Sequence, residues 1–507
     1  MSAGVREKKT TEDTGYTVNQ YCSLVFQSIN GLKTHRLIFG LVVANFFFLY
    51  CRPQHQIPLI GTIKIPMVLS LVLAVLWLRN LSQMRWTVQA KIMLFFLAMG
   101  GLWTPIARNN FWAYHTTFDL AIQFFCYMFP VITFMSNGRG LRAMINVLTF
   151  IGVYLALYAA LHAGVGPGGF ASDENDVCLL IIMMLAFPLS MAIFEKRAFR
   201  KAMLVLASLI MLGGIVSTMS RGGFIGVLVM FGYLFLKMRS KIPALLIMFI
   251  IGLVGLALIP ESYWTEMGTI STSESTAQER LYMWGVALKI WFNPEHFTFG
   301  VGPMNTQWWI KDYESVIAAS AFGKSVAGRA VHSMYVQLLV DLGIVGLLMF
   351  LSMAYKSYRL NQATRIEADR LGDRVAKGYE NVAGLYREEG VERLPIDNES
   401  VGSRAALSPK ELQEIELLER TLMGAHTETT FIYAFAVAVN ASWLGVLSAG
   451  VFISIFYYPA IWTLGALSGA LLVYRTDLFE TLTPLLDKAD PQGAVEAIED
   501  ARSELRD

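Results

Sequence analysis

Charge is the first thing this sequence lacks. Asp, Glu, Lys and Arg supply 16% of its 507 residues, and 55% of the chain is hydrophobic; soluble domains carry about 25% charged residues. That balance excludes a water-soluble globular enzyme and marks an integral membrane protein. The formal net charge of +2, without any long Lys/Arg block, leaves no case for nucleic acid as a partner. Cysteine is scarce as well. Cys22, Cys51, Cys126 and Cys178 stand apart, with no CxxC or His-rich spacing, which argues against a zinc or iron–sulfur centre. Cys51 and Cys178 fall at outer ends of apolar runs and could in principle pair, although isolated cysteines in apolar helices are ordinarily packing residues. The polar first 36 residues also lack a short apolar core followed by a small-residue cleavage site, so the first apolar run is expected to stay as an anchor.

Long apolar runs are what the chain has instead. A membrane helix needs about 20 apolar residues, and twelve windows qualify: roughly 37–51, 65–78, 88–104, 117–135, 143–163, 177–194, 201–218, 223–237, 243–259, 333–355, 429–449 and 454–474. The second and eighth are short, and the last two are separated by little polar punctuation. With the N-terminus inside, the short inner loops carry twelve Lys and Arg, among them Arg79, Arg139, Lys196 and Lys237. The short outer loops carry four, Arg52, Lys64, Arg108 and Arg221. The positive-inside rule therefore puts both termini in the cytoplasm. The expected organisation is an all-α polytopic membrane protein. A cytoplasmic segment (1–36) precedes a bundle of about nine helices (37–259) and an outer loop (260–332). One further helix follows (333–355), then a charged cytoplasmic insertion (356–428), two more helices (429–474) and a cytoplasmic tail (475–507).

The outer loop holds Trp264, Trp284, Trp291, Trp308 and Trp309. Within it Thr276-Ala277-Gln278-Glu279 reads as a capping box opening a helix. Leu281, Trp284, Leu288 and Trp291 then share one face, suited to lying along the membrane surface with tryptophans among the headgroups, and Asn293-Pro294 stops the helix. In the cytoplasmic insertion Ser408-Pro409-Lys410-Glu411 is another capping box, with Pro at the first helical position, followed by Leu412, Ile415, Leu418 and Leu422. A small helical appendage is expected there. The tail from about 476 is a short, amphipathic, acidic stretch. No internal repeat of the transporter kind is visible.

Three residues on the outer face carry the chemistry. Arg221, in Ser220-Arg221-Gly222-Gly223, sits at the N-terminus of a membrane helix, where unpaired N–H groups and the helix dipole favour anions. Its guanidinium forks onto phosphate oxygens, and the two glycines would let a phosphate approach the backbone. The plainer alternative is an interfacial arginine with glycines used for helix packing. Arg280 lies one turn into the capped loop helix, a turn before Trp284; alone it reads as a surface arginine. His332 opens the run that contains Tyr335. A helix N-terminus disfavours imidazolium and so favours a neutral base, although a polar cap at the headgroup level is an equal reading. Asp341, nine residues on, falls on a different face and is expected to bond to a neighbouring helix. The Gly-rich, acidic segment 166–176 places Asn175 and Asp176 where they could hold sugar hydroxyls or orient Arg221. It lacks the twelve-residue calcium-loop pattern, and at least one of its acids is expected to be an N-cap.

Four pieces in this order resemble the bacterial O-antigen ligase/O-antigen polymerase superfamily. They are the Phe-Ala-Ser-Asp-Glu-Asn-Asp loop (170–176), Ser220-Arg221-Gly222, and Arg280-Leu281-Tyr282-Met283-Trp284 with Phe299-Gly300-Val301-Gly302. The fourth is His332-Ser333-Met334-Tyr335 leading into Asp341-Leu342-Gly343-Ile344-Val345-Gly346. Ser333 stands where the family usually has Asn, and the cytoplasmic insertion is larger than is usual. The resemblance covers roughly 150–355. It implies a multi-pass protein of the bacterial inner membrane that moves a glycan from undecaprenyl diphosphate to an acceptor hydroxyl, borne on lipid or protein, at the periplasmic face, in lipopolysaccharide or exopolysaccharide assembly. His332, Arg280 and Arg221 would be catalytic. Asn175, Asp176, Ser220, Trp284 and Tyr335 would contact substrate. No metal, nucleotide sugar or other cofactor is implied, and the partners would be membrane lipids and other envelope polysaccharide assembly proteins. A polymerase of the same superfamily differs only in its acceptor. A lipid-linked glycan flippase would want ionisable groups along a midplane path, whereas here the polar groups gather at the outer face. A scaffold would tolerate loss of all three site residues.

Overall fold

In hydrocarbon every backbone N–H and C=O must be paired within the protein, and a helix does this with its own chain. The computed structural model describes residues 17–31, 36–237, 242, 275–314, 325–326, 328–388 and 409–488. Among these the regular structure is helical, apart from one isolated bridge between Gly168 and Ala171. Six helices are long and apolar enough to cross a membrane: Asn110–Phe134, Gly138–Leu161, Glu174–Phe194, Ala198–Ser217, Met334–Val382 and Ile415–Ala449. Leu37–Cys51, Ile65–Arg79 and Val88–Trp103 are shorter apolar helices. Arg221–Lys237 and Pro459–Lys488 fall on two more of the apolar windows. The window 243–259 and Trp264 lie outside the described residues.

The chain divides into two units. Lys33–Ile366 with Phe431–Val473 form one; Met1–Leu32, Glu367–Thr430 and Tyr474–Asp507 form the other. The centre of the first unit is Glu174–Phe194, in which every residue from Val177 to Ser190 is buried. A helix that is apolar all round belongs inside a bundle. Polar side chains bridge the helices: Ser70 Oγ donates to Asn45 Oδ1 at 2.8 Å, and Asn361 Nδ2 donates to Asn440 Oδ1 at 2.9 Å.

The second unit has its own apolar core, including Leu371, Val375, Leu422 and Leu482. The same unit holds an exposed Arg374–Asp487 ion pair at 2.8 Å and a buried bond from Tyr474 Oη to Glu428 Oε2 at 2.6 Å. The described helices of the charged insertion belong to this unit. They continue the membrane helices, as Met334–Glu388 on one side and Pro409–Ala449 on the other. The second opens at the proline that the sequence marks as a start. The N-terminal segment also holds an unforeseen helix, Val18–Asn30, opened by a Thr17/Gln20 capping box.

The outer-loop helix runs Ser275–Trp291. The capping role of Thr276 lies outside what is described. The buried stripe of this helix is Met283, Val286, Ala287 and Ile290, packed with Val301, Ile310, Val331 and Val340. This differs from the Leu281/Trp284/Leu288/Trp291 face: Leu281 is exposed, and Trp284 and Trp291 flank the core. β-Branched and methionine side chains set the register here, while the larger tryptophans sit at the edge with their N–H groups bonded to carbonyls. Asn293 caps the short helix Pro294–Phe297 after the stop. All four cysteines are free thiols.

Candidate active site

The site is assembled from three helix starts. Ser220 precedes the helix Arg221–Lys237, and its Oγ accepts from Gly223 N at 3.2 Å, the standard use of serine to satisfy an orphan N–H. The same Oγ donates to Asn175 Oδ1 at 2.7 Å. Asp173 caps the helix Glu174–Phe194 by accepting from Asn175 N at 2.8 Å. One hydroxyl thus ties two helix starts together. The glycines after Arg221 are packing residues: a Cβ at Gly223 would lie 2.1 Å from Cys178 Sγ, and one at Gly222 would lie 3.2 Å from Phe452 Cβ. The expectation that they open the backbone to a phosphate is therefore corrected, since protein already fills that space.

The third start carries His332. Ser333 Oγ accepts from Val336 N at 3.4 Å, so serine caps this helix as asparagine would. Met334 N donates to Gly450 O at 2.9 Å, and Tyr335 Oη to Leu447 O at 2.8 Å. His332 itself is left-handed, with φ 52°, a conformation uncommon outside glycine and costing of order 1–3 kcal/mol unless the surroundings impose it. They do impose it. Trp284 Nε1 donates to Val331 O at 2.9 Å, and Arg329 forms an ion pair with Glu279. Both contacts clamp 329–331 to the helix Ser275–Trp291. Arg280 follows Glu279 and precedes Trp284 by one turn, so the clamp that seats the histidine also seats the arginine.

His332 is exposed to solvent yet crowded by protein. That desolvation, then the positive charges of Arg280 and Arg329, hold its pKa below the usual imidazole value, and the Asp173 carboxylate opposes them. The structure thus groups His332 with Arg280, as the sequence suggests, and adds Asp173 and Arg329. The helix start that bears Arg221 makes its own contacts: Ser220 reaches Asn175, and Gly222 packs on Phe452, whose ring lies 6.4 Å from that of Trp284.

Several expected substrate contacts hold internal bonds here. The Tyr335 hydroxyl, the Trp284 indole N–H and the Ser220 hydroxyl are occupied as described, and Asp176 Oδ2 accepts from Tyr458 Oη at 3.3 Å. The segment 450–458 was legible only as a weak gap between two apolar runs. Its signal was Tyr457-Tyr458-Pro459, two hydroxyls ahead of a proline suited to a helix start. Asp173 and Arg329 offered less: one looked like a plain cap and the other like a loop charge.

Asp341 is fully buried and satisfied. Its Oδ1 accepts from Thr306 N at 3.0 Å and Thr306 Oγ1 at 2.6 Å, and its Oδ2 from Met304 N at 3.1 Å and Tyr457 Oη at 3.0 Å. Its partners are thus the start of the helix Thr306–Tyr313 and the 450–458 loop. The helix breaks two residues later at Gly343, φ 67°. The break frees two carbonyls, which take the loop's amides: Val301 N donates to Val340 O at 3.0 Å and Gly302 N to Asp341 O at 2.8 Å, while Val345 N turns to Thr298 O at 3.2 Å. A Cβ at Gly300 would meet Asp341 O at 2.4 Å, and one at Gly343 would meet Thr298 O at 2.2 Å. Both glycines are required by close approach of two backbones. Beside this junction a cavity of about 530 Å³ opens, with Arg329, Val331 and Asp341 in its lining.

Residues 206–351 match the O-antigen ligase family. That stretch contains Arg221, Arg280, His332 and Asp341 and leaves out the loop bearing Asp173, Asn175 and Asp176. The match supports the O-antigen ligase superfamily for this multi-pass helical membrane protein. No curated protein matches the chain.

Proposed function

We propose that this protein is a membrane glycosyltransferase that moves a glycan from a polyprenyl diphosphate, undecaprenyl diphosphate in a bacterial inner membrane, onto an acceptor hydroxyl at the periplasmic face. The observation that carries this reading is the pair of contacts, Trp284 Nε1 to Val331 O and Arg329 to Glu279, that holds the segment leading into His332 against the helix bearing Arg280. Desolvation and positive neighbours keep His332 neutral near pH 7, the state a general base requires. His332 takes the proton of the acceptor hydroxyl as its oxygen attacks the anomeric carbon. The bond from that carbon to the phosphate oxygen breaks, and the polyprenyl diphosphate leaves with the electron pair. Arg280 and Arg221 bind that leaving anion, and the charge they meet grows as the bond breaks, so their contribution is largest in the transition state. Asp173 stabilises the imidazolium that forms. The chemistry calls on no metal, nucleotide sugar or other cofactor. The partners in this reading are the lipid-linked donor and a lipid- or protein-borne acceptor.

Arg280→Ala is expected to reduce transfer by roughly 10²–10³-fold, by analogy with loss of one oxyanion donor, and His332→Ala by roughly 10²–10⁴-fold, the range for loss of a general base, while the protein still inserts. Near-normal transfer by both at matched expression would overturn the assignment. Deleting the protein in its host and profiling lipid-linked glycans then fixes the acceptor. Long chains held on the carrier mean a ligase, single repeats mean a polymerase, and an unchanged pool means transfer is not its role.

A further inference from the structure

Asn146 is a polar side chain that the fold alone does not explain. It lies about 12 Å along the helix Gly138–Leu161, counted from Gly138 at about 1.5 Å per residue. That depth is inside the hydrocarbon layer, which is about 30 Å thick. An asparagine is too short to carry its polar end back to the headgroups, as lysine or arginine would. Yet Asn146 is exposed on the surface of the bundle, and its side chain makes no hydrogen bond among the described residues. Asparagines elsewhere in the bundle are handled differently. Asn45 Nδ2 donates to Leu41 O at 2.9 Å, and its Oδ1 accepts from Ser70 Oγ at 2.8 Å. Asn361 and Asn440 are buried and bond one another between two helices at 2.9 Å. An amide turned outward without even a bond to its own helix is costly, because hydrocarbon offers it no partner. Polar side chains so placed join one membrane helix to another.

The surface around Asn146 is shaped to admit a helix. It lines a groove of about 450 Å³ between Gly138–Leu161 and Leu37–Cys51, together with Gly40, Ala44, Phe47 and Phe150. Asn146 is the polar side chain in a lining that is otherwise apolar. Gly40 is exposed, and a Cβ built there would meet nothing within 4 Å. Gly40 and Ala44 stand one turn apart on one face, the spacing of small residues that lets a second backbone come close. The rings of Phe47 and Phe150, with centroids 6.3 Å apart, bound the same groove and add apolar surface for a partner to pack on.

The amide also says what fills the groove. A lipid chain has no polar group at that depth and would leave Asn146 unpaired. A helix from a different protein would need a polar group at the matching depth. A second copy of this chain brings one of necessity: every copy inserts the same way, so two Asn146 side chains lie at the same depth. A primary amide carries both a carbonyl acceptor and N–H donors. Two of them related by a two-fold axis along the membrane normal therefore bond each other reciprocally, as an isologous interface requires. The protein already makes an amide-to-amide bond between helices at Asn361 and Asn440.

We propose that the groove at Gly40, Ala44 and Asn146 is the contact surface of a symmetric dimer, closed by hydrogen bonds between the two Asn146 amides. The dimer stands apart from the transfer reading, since Arg221, Arg280 and His332 belong to one chain.

The test uses the full-length protein in liposomes, with one fluorophore per chain, over a range of protein-to-lipid ratios. Single-molecule photobleaching counts the chains in each particle. Wild type is expected to pass from monomer to dimer as the ratio rises. Asn146→Leu should weaken dimerisation by roughly tenfold or more, as two hydrogen bonds between helices are lost. Gly40→Leu, which fills the groove, should act the same way. Asn146→Gln keeps a donor and an acceptor and should recover most of the dimer, which a simple loss of fold would not allow. Asn146→Cys should form a disulfide between copies on mild oxidation in membranes, with wild type as the background for the native thiols. A monomer at every ratio, a dimer indifferent to Asn146→Leu, or a dimer that forms no cross-link at position 146 would each overturn the proposal.

Discussion

Removing the Asp341 carboxyl group should loosen the floor of the site in a graded way. Both oxygens accept two hydrogen bonds each, and the residue is fully buried. Asp341→Ala strands Thr306 N, Met304 N and Tyr457 Oη. Unsatisfied buried donors cost about 1–3 kcal/mol each. Relaxation recovers part of that, which leaves a loss of about 3–5 kcal/mol, the range for breaking a buried charged network. Asp341→Asn is milder. Its remaining oxygen keeps both Thr306 contacts, and Tyr457 can turn to accept from the new amide, so only Met304 N faces a donor, at about 1–3 kcal/mol. Tyr457→Phe removes one bond at about 1 kcal/mol. The assay is thermal unfolding in nanodiscs followed by tryptophan fluorescence, with transfer measured on the same samples. The expected order of destabilisation is Ala, then Asn, then the tyrosine variant. Equal effects of Asp341→Ala and Tyr457→Phe, or an asparagine variant worse than alanine, would refute the view that this carboxyl group holds residues 304–306 and Tyr457 to the helix.

Two further outcomes are expected. If His332 acts as the neutral base, transfer is full at neutral pH and is lost as pH falls through a value below 6.5; Arg329→Gln removes a lowering charge and moves that acid limb to higher pH, while Asp173→Asn removes a raising charge and moves it lower. Shifts in the same direction, or none, in pH–rate profiles of the two variants would exclude His332 as the titrating base. Gly223→Ala places a Cβ 2.1 Å from Cys178 Sγ and should destabilise by about 1–3 kcal/mol; adding Cys178→Ala frees the space, so the double variant should lose less than the sum of the two singles in thermal unfolding, and strict additivity would show that the contact is not the cause.

How much of this could be read in advance follows from how far each determinant acts. Apolar run length and an acid before a helix are local, and they located most membrane helices and the cap among the acids of 166–176; the capping roles of Ser220 and Ser333 emerge only from the structure. The break at Gly343 was not visible, because a glycine in a membrane run looks the same whether it packs a neighbouring helix or opens the chain. Only the arrival of residues 298–302 on the other side decides it. The register of Ser275–Trp291 was misjudged for a similar reason. Large aromatic residues dominate the sequence pattern, while the valines of 301, 326, 331 and 340 choose the buried face.

The site divides along the same line. Pairing His332 with Arg280 was legible from motif order, but the groups that set the histidine's charge state come from distant segments, Asp173 by way of a helix cap and Arg329 by way of an ion pair. The glycines make the sharper point. Gly222-Gly223 and Gly300-Val301-Gly302 both have the look of phosphate cradles, yet the N–H of Gly223 is given to Ser220, those of Val301 and Gly302 to carbonyls 340 and 341, and the space over Gly222, Gly223 and Gly300 is filled by protein. The N–H groups of Gly223, Gly300, Val301 and Gly302 are therefore not available to an anion. If this end of the bundle holds a diphosphate, the guanidinium groups must do most of the holding. Each helix start here spends its backbone on positioning a side chain, which is why a single hydroxyl such as that of Ser220 matters to a site it need not touch.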